Sequence, residues 1–430
     1  MSNAPKLPVK LDFGHTPETL AFWKRLVREA LSLSSPTPFY LFSAGPVAER
    51  IAELDAALIA AGFKSETKNP RAQTGFQHWL SFKTQPVAPL LRWWRGLHRP
   101  VEVVSEFELR AALTEGFTPE NILVNGPAKH HWLSQFDLPG ISVNFDSLAE
   151  VTTLLPAAKK LNWRCGVRIN TSEEFDPENP PFPTQFGFTP DEAVVTLKKL
   201  LRAKVRVETA HFHLRSNLAS AHIYERAMAE VAGVCRAAKF SPLYVDIGGG
   251  IPVRQVLSRG GKVFDGEFGL RAFARMLRQA AKLFPALREI WLENGRFVSA
   301  GSGALVLKIL DVKERRGLRQ LICDGGRTLN ALTSLWEQHR ILAEPERTGR
   351  EVLTAVHGPT CMAFDQLARL PLSRSLRAGD HLIWLDAGAY HIPWEMRFSH
   401  GHAAVWWHDE SGLRLVRERQ SFENFWGQWK

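Results

Sequence analysis

Cysteine is scarce in this chain of 430 residues. Cys165, Cys235, Cys323 and Cys361 stand far apart and form no CxxC pair. Cys235 falls in a helical pattern and Cys165 and Cys323 in strand-like runs, so they read as buried free thiols. Long apolar runs are missing too. No stretch approaches the ~18 apolar residues of a membrane-crossing helix, and Met1 to Lys10 has no apolar core of the secretory type. No membrane association and a reducing, cytoplasmic setting are expected. Internal repeats, low-complexity tracts and long runs of like charge are also absent. Lys and Arg exceed Asp and Glu by 54 − 44 = 10. Those basic residues are scattered, so they read as a solvated surface with room for an anion site and no nucleic-acid partner.

What is present is an ordinary globular composition, 45% hydrophobic and 23% charged, with enough chain for two or three domains. An amphipathic helix is expected from about Pro17 to Leu33, a short strand at Pro38–Phe42, and a second helix from Pro46 that stops at Gly62. Short β-rich runs then alternate with helical patterns. The strands are His78–Phe82, Val101–Val104, Ile122–Asn125, Ile141–Phe145, Arg164–Ile169, Thr209–Leu214, Leu243–Ile247 and Glu289–Glu293. Helical patterns between them include Glu106–Glu115, Ser147–Leu161, Pro190–Ala203, Ala219–Phe240 and Gly269–Phe284. Eight strands with helices between them predict an α/β fold, a (β/α)8 TIM-like barrel, with an open doubly wound sheet as its rival.

Beyond about Ala300 the rhythm changes. Leu305–Val312, Arg319–Asp324, Glu351–Val356, His381–Asp386 and Ala403–His408 are strand-like and separated by turns. They predict a C-terminal β domain, which Pro38–Phe42 is free to join. The expected division is an N-terminal segment at 1–43, the barrel at 44–300 and the β domain at 301–430. Thr171–Pro183, rich in Pro, Thr and acidic residues, reads as a loop.

Active sites of such barrels gather at the C-terminal ends of the strands. Lys83 follows the first strand. The sixth ends in His211-Phe212-His213-Leu214-Arg215-Ser216, the seventh in Asp246-Ile247-Gly248-Gly249-Gly250, and the eighth in Glu293-Asn294-Gly295-Arg296. Each element alone is weak, since a strand-end lysine is usually solvated and three glycines usually make a turn. Together, backbone N–H groups of Gly248–Gly250 with Arg296 and Ser216 suit a phosphate, and a lysine nearby suits a Schiff base to an aldehyde cofactor.

From about Thr37 to about Phe398 the chain resembles the diaminopimelate/ornithine/arginine decarboxylase family, called fold type III, which pairs a barrel with a C-terminal β domain as the alanine racemases do. Ser81–Pro86 is similar to the family's cofactor-lysine segment, Phe212–Ser216 to F/C-H-x-G-S, Val245–Gly250 to D-x-G-G-G and Glu293–Arg296 to E-P-G-R. His357–Cys361 matches G-P-T-C, and Asp386–Tyr390 matches D-x-G-A-Y. The resemblance implies pyridoxal 5'-phosphate held as a Schiff base by Lys83, with His213 on its ring and Glu293 at its ring nitrogen. Ser216, Gly249, Gly250, Arg296 and Tyr390 would hold the phosphate, Gly295 would be a further cofactor-binding residue, and Arg168 would lie near the ring. Lys83, His213 and Cys361 would be catalytic, Cys361 reaching the neighbouring subunit's site in a homodimer. No metal is expected.

A carboxylate beside the ring nitrogen keeps it protonated and makes the ring a strong electron sink. Glu293 therefore favours decarboxylation of an amino acid or amino-acid conjugate. A racemase or epimerase, and a non-catalytic cofactor-binding relative, are the alternatives. Departures from the family pattern fall mostly on the substrate side. Met362 stands where an acidic residue is usual, Arg215 replaces a glycine, Asn294 a proline and Glu102 an aspartate. Trp336-Glu337 resembles an aromatic–acid pair that grips a distal ammonium. Arg215 and Arg327 suit a distal carboxylate instead. The sequence leaves both open for the small amino-acid-type substrate.

Overall fold

Eight short apolar runs close into one cylinder. In the computed structural model, which describes residues 13–33, 36–64, 74–176, 180–253, 256–258, 261–262, 267–332 and 336–430, the strands are Gly75–Ser81, Val101–Val103, Ile122–Val124, Ser142–Phe145, Arg164–Arg168, Val207–His211, Tyr244–Asp246 and Glu289–Asn294. Each is hydrogen-bonded in parallel to the next, and Glu289–Asn294 pairs with Gly75–Leu80 to complete the barrel. The first strand starts three residues before the predicted His78, because Gly75–Gln77 find partners in Glu289–Trp291. Met1 to Lys10 and residues 177–179 of the Thr171–Pro183 loop lie outside the described residues.

Three of the connecting helices start where side chains cap them. Ser105, Ser147 and Thr189 accept from the backbone N–H three residues on, and Thr189 with Glu192 forms a reciprocal capping box. One connecting helix, Ala88–Gly96, was not anticipated. It buries Leu90, Leu91 and Trp94.

The chain divides into two compact units. The barrel unit comprises Glu49–Pro252 and Asp265–Phe297, and the second unit comprises Met1–Ala48, Val253–Phe264 and Val298–Lys430. Within the second, nine strands form one sheet among the described residues. Phe39–Ser43 runs antiparallel to Gly303–Arg315 and parallel to Ala404–Asp409, so the early strand does join the C-terminal sheet. Trp23, Leu26, Val27 and Ala30 of the helix Pro17–Ser32 pack with Phe39, Leu41, Val306 and Ile383 into a buried core. All five predicted strands are present. Ile341–Glu344, Gln366–Ser373 and Gly412–Arg417 are additional.

Candidate active site

The first barrel strand stops at Ser81, and Phe82–Thr84 makes a single tight turn closed by Thr84 Oγ1 donating to Ser81 O at 2.8 Å. That turn places Lys83 at the C-terminal end of the barrel, with its side chain 30% exposed. Its ammonium donates to both carboxylate oxygens of Glu102 at 3.1 Å. Glu102, on the second strand, is fully buried and also accepts from Asn125 Nδ2 at 3.3 Å. A buried carboxylate needs such partners, since burial without them costs several kcal/mol or more.

Inside the barrel, polar side chains form a connected layer. Glu293 is buried on the eighth strand and accepts a short hydrogen bond from Asn125 Nδ2. His213 Nδ1 lies 3.2 Å from its other oxygen. His211 Nδ1 sits 3.1 Å from Asp246 and 3.8 Å from Glu293. Asp246 accepts from Asn144 Nδ2 at 3.0 Å and from the Gly248 N–H at 3.1 Å.

Charge is distributed unequally across this layer. Burial alone would raise Glu293, but His211, His213 and Lys83 together hold it well below the ordinary carboxylate range. Asp246 is pushed up to about 6 by burial and by the neighbouring Glu293 charge, against the pull of His211. Burial disfavours a charged His211, yet Asp246 and Glu293 overcome that and raise it. The result is an anion held at Glu293, with the neighbouring His211 shifted towards its charged form. His211, Asp246 and Glu293 also bring ligand atoms within 4.8 Å of one another. The hydrogen bonds already made by Asp246 and Glu293 account for that convergence.

The glycines after the seventh strand are required by space. Gly248 has φ +65°, and a Cβ there would stand 2.5 Å from His213 Nδ1. Gly250 has φ +104°, and its Cβ would meet Arg215 O and Tyr224 Oη at 2.9 Å. Tyr224 Oη donates to Gly249 O at 2.6 Å and pins the curve. A Cβ on Gly295 would lie 2.5 Å from Thr84 Cγ2, so this glycine lets the eighth strand close on the lysine turn. Arg296 follows directly, and Ser216 is exposed after the sixth strand. The Gly248 N–H is held by Asp246 and the Gly249 N–H donates to His213 Nδ1 at 3.3 Å, so the exposed Ser216 hydroxyl and the Arg296 cation on adjoining rim segments are what fit a phosphate. Glu293 fits a protonated ring nitrogen, and Lys83 fits an aldehyde. The residues therefore suit pyridoxal phosphate.

Arg168 is buried at the end of the fifth strand, but its charge is already engaged. Its Nη2 donates to Glu174 at 2.7 Å, and its guanidinium lies over the Phe186 ring at 4.6 Å. The remaining expected residues belong to the second unit. There Tyr390, at φ +63°, packs on Val253, Val256, Ala300 and Ala389. Cys361 is exposed and Met362 half-buried, whereas the other three cysteines are buried. Glu337 is buried and faces His339 Nε2 at 3.0 Å, while Trp336 is exposed. Arg327 lies over Phe364 at 5.2 Å and donates to Phe364 O at 3.1 Å.

Sequence reasoning assigned no role to Asn125, Asn144, His211 or Asp246. The available signal was a polar residue in or ending an apolar strand. Such a residue must find partners inside the barrel.

Comparison with known proteins agrees with this geometry. The model of the pyridoxal-dependent decarboxylase pyridoxal-binding domain matches residues 74–300, just over half of the chain. Over 399 residues the chain is 29% identical to the diaminopimelate decarboxylase of Deinococcus radiodurans, covering 91% of this chain and 95% of that protein. Identity to the Campylobacter jejuni diaminopimelate decarboxylase is 26% over 404 residues, 90% of this chain and 94% of that one. Among solved structures, Helicobacter pylori diaminopimelate decarboxylase complexed with L-lysine superposes with a TM-score of 0.77 at 22% identity, over 94% of this chain and 99% of that chain. The chain belongs to the pyridoxal-dependent decarboxylase family and is an amino-acid carboxy-lyase dependent on pyridoxal phosphate.

Proposed function

We propose that Lys83 holds the cofactor covalently and that Glu293 directs it to decarboxylation. The observation that carries this reading is Glu293 itself, a buried carboxylate kept ionised by His211 and His213. When bound, the cofactor supplies an electron sink for the pair left on Cα as carbon dioxide departs. Glu293 would keep a proton on the ring nitrogen, and His213, fixed between Glu293 and the glycine loop, would lie against the ring. Gly249, Gly250, Gly295, Ser216 and Arg296, with Tyr390 of the second unit, would hold the phosphate. Arg168 would close the ring's edge together with Glu174. Glu102 would hold the Lys83 ammonium whenever the amine is displaced by substrate, so that the lysine stays aimed at the site.

Cys361 would return a proton to Cα. Its exposure in the second unit supports a role in a neighbouring copy's site, and hence a homodimer. The cytoplasm is the proposed compartment, supported by four unpaired cysteines. Among the described residues, no helix is long and apolar enough to cross a membrane. For the substrate's distal end, Met362, Arg215, Arg327 and Glu337 are the candidate contacts. Diaminopimelate, the substrate named for the relatives, is the first compound to test.

The experiment is carbon dioxide release from L- and D-amino acids and amino-acid conjugates by purified protein with added pyridoxal phosphate. Release from one class is expected. Lys83→Ala should lose the visible absorbance band of lysine-bound cofactor and at least about a thousandfold in activity. A band that persists in that variant would displace Lys83 from its role.

A further inference from the structure

The segment after the fifth barrel strand is fastened by charge. Glu174 accepts from Arg168 at 2.7 Å and from Thr184 Oγ1 at 2.8 Å. Glu173 pairs with Arg226, whose Nη2 donates at 2.9 Å. Ser172 donates to Glu230 through its N–H at 2.9 Å and its hydroxyl at 2.8 Å. Phe175, next in line, is thereby held in place, and Arg215 lays its guanidinium over that ring with Cζ 4.4 Å from the centroid.

Such a stack occupies the face of the guanidinium and leaves its in-plane N–H groups to be satisfied elsewhere. Here they are not. Arg215 Nη1 is shielded from solvent and has no acceptor among the described residues. Arg168 is held differently, by Glu174 and 3.9 Å from Asp146, although its Nε also lacks an acceptor among the described residues. A cation with a hidden, unmade donor is costly to keep unless an anion completes it.

Geometry also separates this cation from the glycine loop. The Arg215 carbonyl abuts that loop, 2.9 Å from where a Gly250 Cβ would be, but the guanidinium reaches Phe175 on the fifth-strand side. The guanidinium thus lies over Phe175, in the segment that follows the fifth strand. A guanidinium with an unmet Nη1 donor matches a carboxylate.

We propose that Arg215, braced on Phe175, binds a second carboxylate of the substrate, so that the enzyme acts on acid-ended amino acids or their conjugates in preference to amine-ended ones. The inference rests on the decarboxylase site proposed above. A carboxylate and the cofactor phosphate share the chemistry that would satisfy Arg215, and the test separates them.

Glutarate, a dicarboxylate without an amine and so unable to react with the cofactor, is the probe, with valerate as its single-carboxylate control. Calorimetric titration of the holoenzyme should show glutarate binding at least about tenfold tighter than valerate. Arg215→Gln should erase that preference, and Arg215→Lys should keep part of it, having charge without the fork. Cofactor affinity, titrated separately on the apoprotein, should be unchanged in Arg215→Gln. Equal binding of the two acids by the wild type overturns the inference. So does a preference that survives Arg215→Gln, or a variant that loses cofactor affinity alone. Should that variant fail to fold, Phe175→Leu keeps the charge but removes the brace, and a loss of about threefold in glutarate affinity is expected; no loss overturns the inference.

Carbon dioxide release completes the separation, using meso-diaminopimelate, L-2-aminoadipate and L-glutamate against L-lysine and L-ornithine. A glutarate preference without release from any amino acid fails the decarboxylase reading and leaves the carboxylate site standing. Release without that preference does the reverse.

Discussion

On the proposed reading, one carboxylate decides the direction of the chemistry. Glu293 is out of water, and burial by itself would favour its neutral form. Two histidines and the Lys83 ammonium reverse that preference, so the carboxylate stays an anion, as the ring nitrogen of the proposed cofactor site would require. Glu293→Gln keeps the shape and an oxygen to accept from Asn125 Nδ2 but removes the charge. We expect kcat to fall about a hundredfold, the scale of losing one charge contact to a developing transition state. Cofactor binding should persist, because the glycine loop and Lys83 are untouched. A steady-state comparison at matched cofactor occupancy checks this, and unchanged kcat would remove Glu293 from the mechanism.

At the scale of elements, the helix Glu106–Thr114 links its own start to the site. Ser105 Oγ accepts from the Glu108 N–H at 3.2 Å, and the Glu108 carboxylate reaches back to the Val104 N–H at 2.8 Å. Glu108 is pushed up to about 7 by burial and by the neighbouring Glu102 charge, against the Val104 hydrogen bond and Lys83. In an unfolded chain the same group titrates near its ordinary value, ~4.3. Its folded pKa is raised, so its stabilising contribution is complete below that ordinary value and is lost as pH rises towards 7. Glu108→Gln imitates the protonated form at every pH. The variant should match wild type near pH 4.5 and exceed it at pH 8 by about 1–2 kcal/mol, a Tm higher by ~2–4 °C. Thermal melts at the two pH values test the sign, and a variant less stable at pH 8 would refute it.

Legibility also divides by element. The barrel strands stood out because strands buried on both faces read as unbroken Val, Ile and Leu runs, as in Ile122–Val124. Gln366–Ser373 and Gly412–Arg417 carry arginines and a proline on half-exposed strands, so no apolar run marked them. The lysine, the glycine loop and the Glu293 segment were legible as strand-end motifs. Asp246 and His211 were quoted within those motifs, but their pairing depends on which strands become neighbours in the closed barrel. The bracing of Arg215 by Phe175 depends on a loop whose path no periodicity describes.

For the whole molecule, the open issue is whether one chain makes a working site. Lys83 and Glu293 lie in the barrel unit, and Cys361 lies exposed in the other. If Cys361 serves a neighbouring copy, the two variants Lys83→Ala and Cys361→Ala are each defective in every site of their own homodimers. A mixed dimer differs. One of its two sites draws an intact lysine from one chain and an intact cysteine from the other, while the remaining site carries both lesions. Random reassociation of equal amounts makes half the dimers mixed, so activity should return to about a quarter of wild type by that symmetry. Mixing after mild dissociation, with turnover measured against each parent, gives the comparison. Sedimentation should give a mass near 2 × 48.4 kDa for all three preparations. Recovery to that level requires a site shared between two copies. Activity no higher than the mean of the parents, with mixed dimers demonstrated by a tag on one chain, would place a complete site within a single chain.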